Sequence, residues 1–235
     1  MAIEIHPTAV VHPDAVIADG CVIGPYVVVE QGTVLGKEVC VGSHSIVGRS
    51  PQLGAASTAK QDSPLPALEI GERARIGSNA VVCRGTKIGK DSIVGDGALF
   101  RERTAIGDNV VIGSHVVVEN DVKIGDRTKI QTKAYITALT NIDSDVFIAP
   151  CVVTTNDNFM GRTKERFKLK GGPKIERGAR VGAGTVILPN IVIGEEAFIA
   201  AGSVVTRNAQ AKTLSMGAPA KPVRQVNEKE LLENQ

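Results

Sequence analysis

The sequence predicts an all-β protein, built as a stack of very short strands joined by tight corners. The first observation is a six-residue period in three runs that begin at Ile5, Ile70 and Ile175. Ile, Val or Leu fills 27 of the 29 repeat positions, and the exceptions are Phe100 and Thr154. The second observation is composition, because 25 glycines and abundant Ile and Val suit strands and turns. A period of six matches neither a helix nor an alternating strand, so each repeat should be a strand, a corner and another strand.

Glycine often follows the repeat position, as at Gly24, Gly89 and Gly182, and we expect it to relieve backbone strain at the corner. The pattern resembles the hexapeptide-repeat proteins that fold as a left-handed parallel β-helix. This resemblance implies that three hexapeptides close one triangular coil, and that the coil is left-handed, against the usual crossover rule. The 29 hexapeptides would then form about ten coils. Residues 18 apart would stack at the ordinary strand spacing of about 4.8 Å.

Two stretches leave the repeat, residues 49–69 and 157–172. We expect residues 1–226 to form one β-helix domain that carries both loops, and residues 227–235 to form a short polar helix that caps an end. The first loop has three prolines and many small polar residues, which favours a flexible insertion. The second has five basic residues against two acidic ones, which favours a functional role.

Charge and composition argue against several classes of protein. A net charge of +2 gives no reason to expect nucleic acid or a membrane as partner, and 3% aromatic residues without tryptophan offer few stacking platforms. No apolar run approaches the ~20 residues of a membrane span, and the N-terminus lacks the pattern of a secretory signal. We therefore expect a cytoplasmic protein. Four cysteines without a CxxC pair, and four histidines without a convergent trio, predict no metal site and weaken a carbonic-anhydrase-like alternative.

The C-terminal segments "VGAGTVILP", "IAAGSVVT" and "GAPAKPVR" resemble the end of hexapeptide acyl-CoA transferases. In that family the region holds coenzyme A in a cleft between subunits, so the resemblance implies acetyl-CoA as co-substrate and a homotrimer. Small residues would let the pantetheine arm reach main-chain N–H groups, and basic residues would meet the phosphates. The candidate cofactor-binding residues are Ala183, Gly184, Ala201, Gly202, Lys212, Lys221 and Arg224.

Residues 118–136 and 145–162 resemble N-acetyltransferases that act on nucleotide-linked amino sugars, of the UDP-2-acetamido-3-amino-glucuronate type. The phase of the repeat supports a site here, because Asn120 and Asn156 are third in their hexapeptides and 36 residues apart. They should therefore share one edge of the prism, two coils apart, with Glu102 one coil below Asn120. We interpret Thr154 as the point where a substrate-binding wall leaves the prism.

Roles for these side chains follow from that placement. The candidate catalytic residues are Asp157, Asn156 and His115, and the candidate substrate-binding residues are Glu102, Glu119, Asn120 and Arg162. Asp157 could accept a proton from the attacking amine if burial raises its pKa. Arg162, with Lys164 and Arg166, would reach a diphosphate or a neighbouring subunit.

Two alternatives stay open at this point. A neutral amine needs no strong base, whereas a hydroxyl does, and the opening "IHPTAVVHPDAV" resembles lipid A precursor acyltransferases. An O-acyltransferase, or an enzyme that uses acyl carrier protein, is therefore the close rival. A non-catalytic β-helix scaffold is the alternative from a different class.

Overall fold

The computed structural model describes residues 2–57 and 64–235, and the middle of the predicted 49–69 loop, residues 58–63, lies outside the described residues. The repeats form a left-handed parallel β-helix with three flat faces. Apart from one antiparallel pair near the C-terminus, strands pair in parallel with the strand of the next coil, and in uninterrupted coils residues 18 apart are neighbours, as in Ile5–Ile23 and Val94–Ile112. The predicted fold class and stacking are confirmed. No helix among the described residues is long and apolar enough to cross a membrane.

From the first strand to the twenty-ninth the strands are distributed over the faces in strict rotation, and the last two both join the first face. The first face contains β1 Glu4–Ile5, β4 Val22–Ile23, β7 Cys40–Val41, β10 Arg75–Ile76, β13 Ile93–Val94, β16 Val111–Ile112, β19 Lys129–Ile130, β22 Phe147–Ile148, β25 Arg180–Val181, β28 Phe198–Ile199, β30 Thr213–Met216 and the antiparallel β31 Lys221–Gln225. The second face contains β2 Val10–Val11, β5 Val28–Val29, β8 Ile46–Arg49, β11 Val81–Cys83, β14 Leu99–Phe100, β17 Val117–Val118, β20 Tyr135–Ile136, β23 Val153–Thr154, β26 Val186–Ile187 and β29 Val204–Val205. The third face contains β3 Val16–Ile17, β6 Val34–Leu35, β9 Glu69–Ile70, β12 Lys87–Ile88, β15 Ala105–Ile106, β18 Lys123–Ile124, β21 Asn141–Ile142, β24 Lys174–Ile175 and β27 Val192–Ile193.

The core is a set of aliphatic columns that run along the axis of the prism. Ile130, Ile136 and Ile142 supply one side chain from each face of a single coil, and all three are fully buried. Burying a side chain of this size stabilises the fold by about 1.5–3 kcal/mol relative to exposing it. The six-residue period therefore specifies the core directly.

The glycine that follows a repeat position has a different role from the predicted one. A Cβ atom on Gly42 would lie 2.7 Å from the carbonyl carbon of Gly77, and one on Gly71 would lie 2.6 Å from the main-chain nitrogen of Lys90. These glycines allow adjacent coils to approach each other, which a side chain would prevent. The left-handed turn conformation occurs at other positions of the corner, where residues such as Asn109 (φ 57°) adopt it without being glycine.

We call the corner between the first and second faces the first edge, that between the second and third faces the second edge, and that between the third and first faces the third edge. The predicted C-terminal helix is instead two short 3-10 turns, Glu228–Glu230 and Leu232–Asn234. They pack against the flank of the last coils, where the Leu232 main-chain N–H donates to Glu196 at 3.0 Å and Arg180 pairs with Glu230 at 2.7 Å.

Candidate functional site

Both insertions leave the prism at the second edge. The first departs after β8 and returns at β9, and the second departs after β23 and returns at β24. Between them the second edge forms a cleft of about 430 Å³. The cleft is lined by Ser57, Arg101, Arg103, Glu119, Asn120, Tyr135, Thr137, Ala138, Asn156, Phe167 and Lys170. The first insertion therefore contributes to this cleft through Ser57, which the expectation of a merely flexible loop did not anticipate.

The predicted asparagine column lies in this cleft. The main-chain N–H of Leu139 donates to the Asn120 carbonyl oxygen at 3.3 Å, and the Asn156 side-chain amide donates to the Ala138 carbonyl oxygen at 3.4 Å. Asn120, Ala138 and Asn156 thus occupy successive turns of the second edge. Their predicted common edge is confirmed, two coils apart.

Glu102 lies in the same column, but its side chain is buried, with only 2% of the residue exposed. Arg101 donates to both Glu102 carboxylate oxygens at 3.0 Å and reaches Glu119 Oε2 at 3.2 Å with its remaining amino group. Glu102 therefore cannot offer its carboxylate to a substrate in the cleft, as the sequence prediction required. It holds Arg101, and Arg101 in turn orients Glu119.

Tyr135 and Arg101 line the cleft without having been predicted. Burial raises the pKa of Tyr135, and the Glu119 carboxylate adds to the rise by its charge and as a hydrogen-bond acceptor, while a bond with Thr137 opposes it. The phenol therefore stays protonated at neutral pH and can donate a hydrogen bond. For Arg101 the available signal was the 18-residue spacing, which stacks it with Glu119 and Thr137 in one column, whereas no such signal marked Tyr135.

Asp157 organises the second insertion and does not line the cleft. Its carboxylate accepts hydrogen bonds from the main-chain N–H groups of Phe159 at 2.9 Å and Gly161 at 3.1 Å, and from Arg166 at 2.8 Å. The N–H of Phe159, then that of Gly161 and the Arg166 guanidinium, lower the pKa of Asp157. The condition that burial raise this pKa is not met, because three donors stabilise the charged form and outweigh desolvation.

The basic residues that the sequence assigned to ligand binding are not the ones that line the cleft. Arg162 is exposed and, like Lys164, is absent from the cleft wall, and Arg166 is occupied by Asp157. Lys170, at the end of the insertion, does line the cleft.

His115 lies at the first edge, across the second face from Asn120. It adopts a left-handed turn conformation (φ 57°), and its exposed imidazole ring packs over Gly97. Within one chain the ring is separated from the asparagine column by the width of a face.

The small residues predicted to hold the cofactor also lie at the first edge. The main-chain N–H of Gly202 donates to the Ala183 carbonyl oxygen at 2.8 Å, which stacks Ala183–Gly184 beneath Ala201–Gly202. A Cβ atom on Gly184 or Gly202 would meet nothing within 4 Å. Their main chain is therefore open to a ligand or to another chain.

The basic residues predicted for the cofactor do not form one cluster. Lys221 begins β31, and the preceding residue, Ala220, donates its main-chain N–H to the Val204 carbonyl oxygen at 2.8 Å, above the first edge. Arg224 lies further along β31, opposite Leu214. Lys212 lies at the third edge, where it is 3.8 Å from Glu233. Lys212 thus lies at a different edge from the glycines.

A shallower groove of about 560 Å³ runs along the third face, and its lining is half aliphatic residues and glycines and half polar or charged residues: Lys123, Asp126, Asn141, Asp143, Ser144 and Arg177. Neither the asparagine column nor the inserted segments reach it, so we place the candidate site in the smaller cleft. In the part of the chain that the structure describes, no group of three or more His, Cys, Asp or Glu residues could hold a metal ion.

Comparison with known proteins identifies the family. The family described as bacterial transferase hexapeptide (six repeats) matches residues 14–49, 68–102, 103–138 and 172–207. These segments cover more than half of the chain, so the protein belongs to the bacterial hexapeptide transferases.

Individual relatives are similar over shorter stretches. The chain is 41% identical to serine acetyltransferase of Buchnera aphidicola over 70 residues, which is 30% of this chain and 26% of that protein. It is 42% identical to dTDP-4-amino-4,6-dideoxy-D-glucose acyltransferase of Escherichia coli over 53 residues, 23% of this chain and 27% of that one. The matches thus span about a quarter of the length of these curated relatives.

Among solved structures, an Arabidopsis UDP-N-acetylglucosamine acyltransferase superposes with a TM-score of 0.76 at 24% identity. The superposition covers 98% of this chain and 76% of that chain. At this identity the likeness establishes the fold alone.

Proposed function

We propose that the protein is an acyltransferase that moves an acetyl group from acetyl-CoA to the amine of a nucleotide-linked amino sugar, at sites between the subunits of a homotrimer. Family membership supports acyl transfer, and the relative that acts on dTDP-4-amino-4,6-dideoxy-D-glucose supports a sugar amine as acceptor. The polar cleft with its two asparagines, a carboxylate and a phenol supports binding of a polar acceptor.

One observation carries the proposal of shared sites. The first residue of every strand on the second face points outward and is apolar or aromatic: Val10, Val28, Ile46, Val81, Leu99, Val117, Tyr135, Val153, Val186 and Val204. The other two faces interrupt theirs with charged residues such as Arg75 and Lys123. A continuous apolar stripe of this length favours burial against further copies of the chain.

Three prisms that turn their second faces toward a common axis bring the first edge of one copy beside the second edge of the next. The open glycines of the first edge then face the asparagine column of the neighbouring chain. Each of three equivalent clefts would receive acetyl-CoA from one wall and the acceptor from the other.

The chemistry follows from these groups. The neutral sugar amine attacks the thioester carbonyl carbon, the C–N bond forms, the C–S bond breaks, and coenzyme A leaves with the proton that the amine loses. Asn120 and Asn156 orient the acceptor, and Glu119, fixed by Arg101, accepts a hydrogen bond from the amine. The main-chain N–H groups of Ala183 and Ala201, which have no acceptor among the described residues, would donate to the thioester.

Hydroxyl acylation is the second candidate, and His115 favours it. His115 lies at the first edge of the coil that carries Asn120 at its second edge, so the trimer would place the two at one level of the shared cleft. A His115→Ala variant separates the candidates: near-complete loss of activity would favour a hydroxyl acceptor, and a small effect would favour an amine.

The direct test measures acetyl transfer from acetyl-CoA to a panel of nucleotide-linked amino sugars. Release of the coenzyme A thiol reports the rate, and mass spectrometry identifies the product. We expect an N-acetylated product with at least one acceptor. If titration calorimetry found no binding of acetyl-CoA at millimolar concentration, that result would instead favour a non-catalytic scaffold.

A further inference from the structure

The short helix α1, Arg166–Leu169, is held at the cleft from both ends. At its start Arg166 pairs with Asp157 at 2.8 Å. At its end the Asn190 side-chain amide donates to the Leu169 carbonyl oxygen at 2.9 Å, and the Gly171 N–H donates to the Asn156 carbonyl oxygen at 3.2 Å. These bonds tie the helix to the asparagine column and to the next coil.

Of residues 167–170, two side chains line the cleft and two do not. Phe167 and Lys170 are in its wall, whereas Lys168 and Leu169 are not. The spacing explains the difference, because residues three apart share one side of a helical turn. Phe167 is 57% exposed, and the Arg166 guanidinium covers one face of its ring at 4.5 Å from the centroid. A large aromatic ring left exposed in a polar cleft suits a ligand that stacks.

Lys170 is the cation in this wall that has no carboxylate partner among the described residues. Arg101 pairs with Glu102 and Glu119, and Arg103 pairs with Asp121. The Lys170 ammonium forms no ion pair within 4.0 Å in the part of the chain that the structure describes. An anionic group on the ligand would supply the missing partner.

We propose that Phe167 and Lys170 together recognise the nucleotide diphosphate of the acceptor, the ring by stacking on the base and the ammonium by pairing with a phosphate. This assignment rests on the proposed function and names the residues that select its nucleotide-linked substrate. It replaces Arg162, Lys164 and Arg166 in the role that the sequence had suggested for them.

The experiment measures binding of UDP and dTDP to the full-length protein by calorimetry, without acetyl-CoA or sugar. Uridine serves as a probe for stacking alone and inorganic pyrophosphate as a probe for the ammonium alone. Leu169→Ala is the matched control for Phe167→Ala, and Lys168→Ala is the matched control for Lys170→Ala, because each changes an exposed neighbour on the same helix. All four substitutions are at exposed positions, where folding should be preserved.

We expect Phe167→Ala to weaken nucleotide binding about 5- to 30-fold and to weaken uridine binding equally. Lys170→Ala should weaken UDP and pyrophosphate binding about 3- to 10-fold, more at low salt, and leave uridine unchanged. The controls should bind as the unmodified protein does.

Wild-type-like binding of UDP and dTDP by both cleft variants would overturn the inference, even if acetyl transfer were established. Failure of the unmodified protein to bind either nucleotide would also overturn the inference. If that protein still transferred acetyl groups to a free amino sugar, its acyltransferase activity would nevertheless stand. Nucleotide binding that depends on both residues, without any acetyl transfer, would support the inference and refute the proposed function.

Discussion

At the residue scale, Thr154 shows how the fold changes its hydrogen bonding where the chain leaves the prism. It occupies a fully buried position that Ile136 and Ile187 fill in the adjacent coils. In regular coils the main-chain N–H that follows an inward residue donates to a carbonyl oxygen, as Glu119 does to Ile136 at 2.9 Å. Here the Thr137 N–H donates instead to the Thr154 hydroxyl, at 2.8 Å. The hydroxyl replaces a carbonyl acceptor beside the cleft.

We therefore predict that Thr154→Val destabilises the protein although it restores the aliphatic pattern. Loss of the hydroxyl leaves the Thr137 N–H buried without an acceptor, which costs about 1–3 kcal/mol. Thr154→Ser keeps the acceptor and should lose less. Chemical denaturation followed by circular dichroism measures both, and a Thr154→Val variant as stable as the parent would contradict the role of the hydroxyl.

A second residue-scale prediction concerns Asp157, whose folded-state pKa is lowered. Because the folded-state pKa is lowered, the stabilisation from the hydrogen bonds to Phe159 and Gly161 is fully present above the ordinary Asp pKa of about 3.9. It is lost as the pH falls through the lower, folded-state pKa. At pH 7, Asp157→Asn should therefore speed amide hydrogen exchange at Phe159 and Gly161, since the charge that strengthens those bonds is removed.

Asn158→Ala is the matched control for this exchange measurement, because Asn158 is the exposed neighbour. Between pH 5 and 9 the dependence of activity on pH should have the same shape in the unmodified protein and in Asp157→Asn. If the unmodified protein lost activity with an apparent pKa that is missing from the variant, Asp157 would again be a candidate proton acceptor.

At the scale of the structural element, the strands were more predictable than the turns and insertions. The repeat positions specify the strands because each inward side chain must be aliphatic, and the predicted register of Asn120 over Asn156 follows from counting alone. The roles of Tyr135 and Lys170 could not be predicted this way. They depend on how two insertions fold back over one edge, and the six-residue period carries no information about segments that leave it.

The turns of the first edge allow a test of where acetyl-CoA binds. Asn79 (φ 56°) occupies an equivalent turn, so the fold does not require glycine at position 202. Gly202→Asn should therefore fold normally but place a side chain where acetyl-CoA would approach, raising its KM about tenfold. Lys133→Asn, a turn of the same edge with φ 61°, is the control and should leave the KM for acetyl-CoA unchanged. An unaltered KM in Gly202→Asn would move the cofactor away from the first edge.

At the scale of the whole molecule, the apolar stripe of the second face predicts which surface self-associates. Val117→Asp places a charge in the proposed contact, and burying an unpaired carboxylate is strongly unfavourable. Val111→Asp changes a half-buried valine six residues earlier in the same coil, on the first face. Analytical ultracentrifugation should find Val117→Asp dissociated and Val111→Asp assembled, and an assembled Val117→Asp protein would exclude this face as the interface.

Sharing of sites between copies has a sharper consequence than assembly itself, because it lets two impaired variants complement each other. In the proposed trimer each cleft has one wall from the first edge of one copy and one wall from the second edge of its neighbour. Gly202→Asn alters only the first-edge wall, and Asn156→Ala alters only the second-edge wall. In randomly mixed trimers from co-expression, about a quarter of the clefts would combine the two intact walls, since each wall is intact in half of the subunits. Assayed with acetyl-CoA below its KM, the co-expressed mixture should recover about a quarter of the parental activity, whereas separately purified variants combined without subunit exchange should show only the mean of their own reduced activities. Equal activity in both mixtures would mean that each chain holds a complete site, and the second face would then serve assembly alone.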